Sequence, residues 1–229
     1  MEVAVRRRYQ LELEDVRERL EHMSGLAATA MHRATRALVT ADLATAERVI
    51  EQDETLDACA VELEDQIVDM LARQSPVAGD LRLLVSALGI GRAFERMGDL
   101  ARHVAETARR RDPQRAVPAE LVPTVERMGD LAARLAVKAG WLIRRPDREL
   151  AAQLDRDDDE MDLLHRRLLA DIGRPDWPHG MQAGVDLALV GRFCERFADQ
   201  AVNVGRRVVF FATGLAGSST RGRQSARGW

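Results

Sequence analysis

One pattern is written twice in this chain. Shifted by 100 residues, Arg92 falls on Arg192, Glu95 on Glu195, Arg96 on Arg196, Asp99 on Asp199, Ala101 on Ala201 and Val104 on Val204. Shifted by 105, Met23 falls on Met128, Leu26 on Leu131, Ala27 and Ala28 on Ala132 and Ala133, Asp53 on Asp158 and Asp57 on Asp162. The five-residue change in register falls in the second interhelical loop, where insertions are tolerated. Internal repetition of this kind marks a structural unit used twice, so the fold must hold two equivalent halves.

Within each half the apolar residues recur in steps of three and four, the period of one helical face. Leu13, Val16, Leu20, Met23, Ala27, Ala30, Met31, Ala34 and Leu38 predict a first helix from Tyr9 to about Thr40. Asp42 is placed to cap a second, along Ala46, Val49, Ile50, Leu56, Ala60, Leu63, Ile67, Met70 and Leu71, which ends near Gln74. In "RQSPVAGDLR", Ser75 is expected to cap a third helix with Pro76 at its first position. That helix runs to about Arg111, and "DPQRAVP" separates the halves. Three further helices follow, near Glu120 to Ile143, Arg148 to Ile172 and Met181 to Thr213, divided by "RRPD" and "GRPDWPHG". The expected fold is all-α: tandem three-helix bundles over residues 1–112 and 119–214, then a Gly/Ser/Arg-rich tail over 215–229 expected to be disordered. With 46% hydrophobic and 4% aromatic residues, composition agrees with long amphipathic helices and argues against a sheet.

The 34 basic and 37 acidic residues nearly cancel, which excludes a dedicated nucleic-acid binder held by overall charge. Cys59 and Cys194 stand alone without metal-ligand spacing and read as buried or half-buried thiols in a reducing compartment. The N-terminus "MEVAVRRRYQLELED" turns charged before an apolar segment develops, and no run of about 18 apolar residues occurs, so a cytoplasmic protein is expected.

The chemistry in the repeat is acidic. Residues four apart share a helical face, so Asp53 with Asp57 and Glu95 with Asp99 each present paired carboxylates, and so do Asp158 with Asp162 and Glu195 with Asp199. Such neighbours repel by a few tenths of a kcal/mol, which a bound cation would offset. From 37 acidic residues in 229, about six such pairs arise by chance, so no single pair carries weight. Two pairs per half at matching shifts do. Oxygen-only clusters suit hard ions such as Mg, Mn, Ca or Fe. "ERMGDLAARLA" copies the motif, but the register places Glu126 and Asp130 on the first helix of its half, opposite Gly25, as surface charge. His103, whose counterpart is Asn203, is expected on a polar helix surface.

"VIEQDETLD", "ARQSPVAGDLR", "FERMGDLARHVAE" and "FCERFADQAVNV" resemble, in order, the recurrent segments of the PhoU phosphate-transport regulators. The resemblance implies two PhoU domains, a cytoplasmic homodimer and a negative regulator linking the phosphate ABC transporter ATPase to a phosphate-sensing histidine kinase. It implies contact with membrane only through those partners and no direct contact with nucleic acid. It also implies divalent or trivalent metal ions (Fe, Mn, Mg or Zn) on Asp53, Asp57, Glu95 and Asp99, and on Asp158, Asp162, Glu195 and Asp199. Leu100 and Gln200 stand where the family commonly has His, which leaves the identity and number of ions open.

No catalytic residues are expected. A carboxylate-bridged di-iron protein wants Glu-x-x-His turns, and the sequence has none. "GIGRAFERMG" lies inside a helix rather than after a strand, so it is no phosphate loop. A metal-free helical adaptor is the remaining alternative.

Overall fold

The computed structural model describes residues 2–214, with side chains from Arg6 onward; the tail expected over 215–229 lies outside the described residues. Among those residues the chain forms six α-helices and no strand: α1 (Glu2–Thr40), α2 (Leu43–Gln74), α3 (Ala78–Arg111), α4 (Val122–Arg144), α5 (Arg148–Ile172) and α6 (Gly180–Thr213). A short 3-10 turn, Ala119–Leu121, leads into α4.

The repeat is visible in the caps. Asp42 accepts the amide of Thr45 at 3.0 Å, and Asp147, its counterpart at a shift of 105, accepts that of Leu150 at 2.8 Å. Each satisfies an amide the helix start leaves open, a contribution of about 1 kcal/mol. Ser75 departs from expectation. It ends α2 in the left-handed region at φ 44°, and Val77, without a side-chain cap, precedes α3. Pro76 disfavours right-handed helical backbone at the residue before it, so the break falls on Ser75 itself.

The chain reverses direction at each connection within a half. α1, α3, α4 and α6 form a central layer, with α1 against both α3 and α4, and α6 against both α3 and α4. α2 lies outside on α1 and α3, and α5 lies outside on α4 and α6. Two three-helix bundles therefore share walls, and one hydrophobic cluster runs through both, from Leu13 to Phe211.

The α1–α4 contact is built on small residues related by the repeat. Thr35 covers Gly129 and Ser24 covers Gly140, and a shift of 105 turns Ser24 into Gly129 and Thr35 into Gly140. One close contact is thus made twice about an approximate twofold axis. Glu126 and Asp130 are exposed on α4, where Asp130 lies 3.5 Å from His32 of α1. On the α3–α6 wall, His103 stacks on Phe193 at 5.2 Å between ring centroids, with its Nδ1 enclosed and unpartnered. His103 is half-buried between the halves rather than on a polar surface, because α6 covers that side of α3.

Candidate metal centres in two acidic grooves

The acidic residues lie where each outer helix meets the central layer. Leu63 of α2 packs on Gly91 of α3, and the matching Leu168 of α5 packs on Gly191 of α6, so the two grooves share a register. In the first groove Gly98 lets α2 come close: a Cβ there would lie 2.6 Å from Leu56 Cδ2 and 2.8 Å from Asp53 Oδ1. Asp53 is drawn under α3 as a result, and its side chain is 8% exposed.

All four carboxylates of the first quartet act on one another. Burial raises the pKa of Asp53, Asp57 and Glu95; the charge of Asp57 adds to the rise at Asp53, and that of Asp99 to the rise at Asp57 and Glu95. Asp99 behaves oppositely. Burial pushes it up, but hydrogen bonds from Arg102 and Arg96 outweigh that and hold its pKa below the ordinary value. Asp57 and Glu95 border an open depression with Leu63, Gly91 and Arg92.

Arg102 is the feature that the acidic pattern did not disclose. Its Nε donates to Asp53 Oδ2 at 2.6 Å, its Nη2 to Asp99 Oδ1 at 2.8 Å and its Nη1 to Glu106 Oε1 at 2.9 Å. Arg96 Nη1 donates to the other Asp99 oxygen at 2.7 Å. A signal was present in the sequence: Arg102 is three residues beyond Asp99 on the same helix, and its counterpart is Val202.

In the second groove Glu195 is raised by burial, then by the charges of Asp199 and, more weakly, Asp162, against the pull of Arg192. Those three carboxylates share one field. Arg192 Nη1 donates to Glu195 Oε2. Asp158, one turn before Asp162, is wholly enclosed on the inner face of α5 between Leu154 and Met161. Asp158 is therefore set between helices, whereas Asp162, Glu195 and Asp199 are half-buried. His165 reaches Gly191 beside them, and burial, then Arg192, lowers its pKa.

Among the described residues no three His, Cys, Asp or Glu side chains are already gathered into a ligand cage. Leu100 faces the core at 1% exposure, whereas Gln200 is half-buried. Cys194 is buried and Cys59 half-buried. Among the described residues no helix is long and apolar enough to cross a membrane.

Comparison with known proteins agrees with this architecture. The PhoU domain model matches twice, at residues 20–108 and 125–208. The chain is 47% identical over 210 residues to the phosphate-specific transport system accessory protein PhoU homolog 1 of Mycobacterium leprae, covering 92% of this chain and 95% of that protein. It is likewise 47% identical over 210 residues to PhoU homolog 2 of Mycobacterium tuberculosis, covering 92% and 99%. The crystal structure of PhoU from Pseudomonas aeruginosa superposes with a TM-score of 0.80 at 28% identity, covering 90% of this chain and 100% of that one. A second, the phosphate transport system regulatory protein PhoU from Streptococcus pneumoniae, shares the fold with a TM-score of 0.81 at 22% identity, covering 91% and 98%.

Proposed function

The chain belongs to the PhoU family, and on that premise we propose that it is a negative regulator of phosphate uptake and of the phosphate-starvation response. Its coarser role is that of an accessory protein of phosphate-specific transport. In the proposed mechanism it works in the cytoplasm as a homodimer, between the ATPase of the phosphate ABC transporter and a phosphate-sensing histidine kinase. It meets the membrane only through those partners and performs no turnover.

The observation that supports this reading best is the pairing of a twice-matched PhoU domain with an acidic groove in each half. Asp162, Glu195 and Asp199, with Asp158 behind them, would hold a hard metal ion in the second groove. Bound there, the ion supplies positive charge that offsets the mutual repulsion of the carboxylates and pins α5 against α6. The chain's own residues do the rest. Arg192 steadies Glu195 at the rim, and Leu168 on Gly191 fixes the spacing of the helices.

The test is a reporter of phosphate-starvation genes in the native host grown in phosphate-rich medium. Deletion is expected to leave the reporter on, wild-type chain to silence it, and Glu195→Ala with Asp199→Ala to silence it only weakly. A silent reporter in the deletion strain, with no second copy of the gene present, contradicts the regulatory role.

A further inference from the structure

We propose that Arg102 is the resident cation of the first groove, so that this groove takes up no metal while the arginine is in place. The proposal departs from the metal that the family resemblance implies for the first groove, and the metal reading of the second groove stands apart from it. Three nitrogens of one guanidinium reach three different carboxylates, Asp53 at 2.6 Å, Asp99 at 2.8 Å and Glu106 at 2.9 Å. Arg96 takes the second oxygen of Asp99 at 2.7 Å, so both oxygens of that carboxylate are in use. The pair that would anchor an ion from α2 and α3 together is therefore already crosslinked by a fixed positive charge. Arg is suited to the place because its planar fork spans two carboxylates and it keeps its proton at any working pH.

A divalent ion entering between Asp53 and Asp99 would have to displace this guanidinium, whose side chain is only 30% exposed where it now sits among the carboxylates. Strong charge-assisted hydrogen bonds would be exchanged for coordination bonds, with an unpaired arginine left beside the ion. The repeat supplies the contrast. At the shift of 100, Arg102 becomes Val202, which is 4% exposed in the core, and Glu106 becomes Arg206, which reaches Asp155 at 3.5 Å. The arginine device is built into α3 and is absent from the matching place on α6. The asymmetry rests on that exchange alone.

Equilibrium dialysis of the metal-stripped full chain against Mn2+ tests it, with folding of each variant checked by circular dichroism. Wild type is expected to show one class of sites, lost in Glu195→Gln with Asp199→Asn and retained in Asp53→Asn with Asp99→Asn. Arg102→Val, which copies the second half into the first, is expected to add a second class, removed again by Asp53→Asn with Asp99→Asn. Arg102→Met, which keeps the apolar stem, serves where the valine variant does not fold. Loss of wild-type Mn2+ on changing Asp53 and Asp99, or no added site in either Arg102 variant, overturns the proposal. If wild type binds no Mn2+, the metal reading of the second groove fails. The Arg102 variants still decide this one: a site gained supports it and none gained overturns it.

Discussion

Adding one methyl group at Gly129 tests whether the two halves are held by a single shared core. A Cβ there would sit 2.3 Å from Thr35 Oγ1, 2.5 Å from its Cγ2 and 2.6 Å from its Cβ. Carbon atoms rest about 3.5 to 4.0 Å apart, so α1 and α4 must separate by roughly 1 Å. Rotation of Thr35 gives no relief, because its Cβ does not move with χ1. Overpacking of this kind costs about 1 to 3 kcal/mol, and replacing a helical Gly by Ala returns about 1 kcal/mol. With three atoms in conflict, the net loss for Gly129→Ala is about 2 kcal/mol, or roughly 4 to 8 °C in Tm for a chain of this size. The assay is thermal unfolding followed by circular dichroism, run as a double-mutant cycle. Thr35→Gly should recover most of the loss in the double variant, whereas Thr35→Ala, which keeps the offending Cβ, should not. Gly25→Ala is the control: no atom lies within 4 Å, so it should gain up to about 1 kcal/mol. A Gly129→Ala variant as stable as wild type, or equal rescue by both Thr35 changes, refutes the close α1–α4 packing.

Burial pushes the Cys194 thiol up to about 12, so at pH 8 its thiolate is on the order of one part in ten thousand. Ellman's reagent should therefore register Cys59 alone in the native protein and both thiols in denaturant; equal native rates would contradict the buried placement. Asp186, 2% exposed, ties α6 to Arg110 at 3.3 Å and Arg111 at 3.7 Å on α3, and Asp186→Ala should lower stability by about 1 to 2 kcal/mol in urea titration, discounted because both arginines retain solvent. Glu195 is raised by burial and by Asp199, so the folded chain holds its proton more tightly than the unfolded one. Its ionisation therefore subtracts stability as pH rises from the unfolded pKa through the folded one. In metal-free protein Glu195→Gln should gain a few tenths to about 1 kcal/mol at pH 7, and the gain should vanish as pH falls below about 4; a gain that grows on acidification has the wrong sign.

Much of the fold was legible because it is carried by local periodicity. The helix ends at Thr40, Gln74, Arg111, Ile172 and Thr213 follow from where the three-and-four spacing stops and breaker residues begin. Asp42 could be read as a cap because side-chain capping is a property of four consecutive residues. Ser75 could not, since one residue cannot both end α2 and cap α3, and sequence alone does not say which task it takes. The sharing of walls between bundles was hidden for a different reason. Ser24 on Gly140 and Thr35 on Gly129 are contacts between residues more than 90 positions apart, and small residues on a helix face look the same whether a partner covers them or not. At the grooves, the acidic pairs were visible as a repeat of like residues. Arg102 was not picked out by that repeat: its difference from Val202 is written in the sequence, but the reach of its three side-chain nitrogens is not encoded by spacing.

Elemental analysis of the full chain purified from its host without added metal tests the central claim most directly, that the second acidic groove holds a hard cation. The expected result is a stoichiometric amount of one hard metal in wild type and its loss in Glu195→Ala with Asp199→Ala, at unchanged helix content. A wild-type protein free of metal, or a double variant that retains as much as wild type, contradicts it.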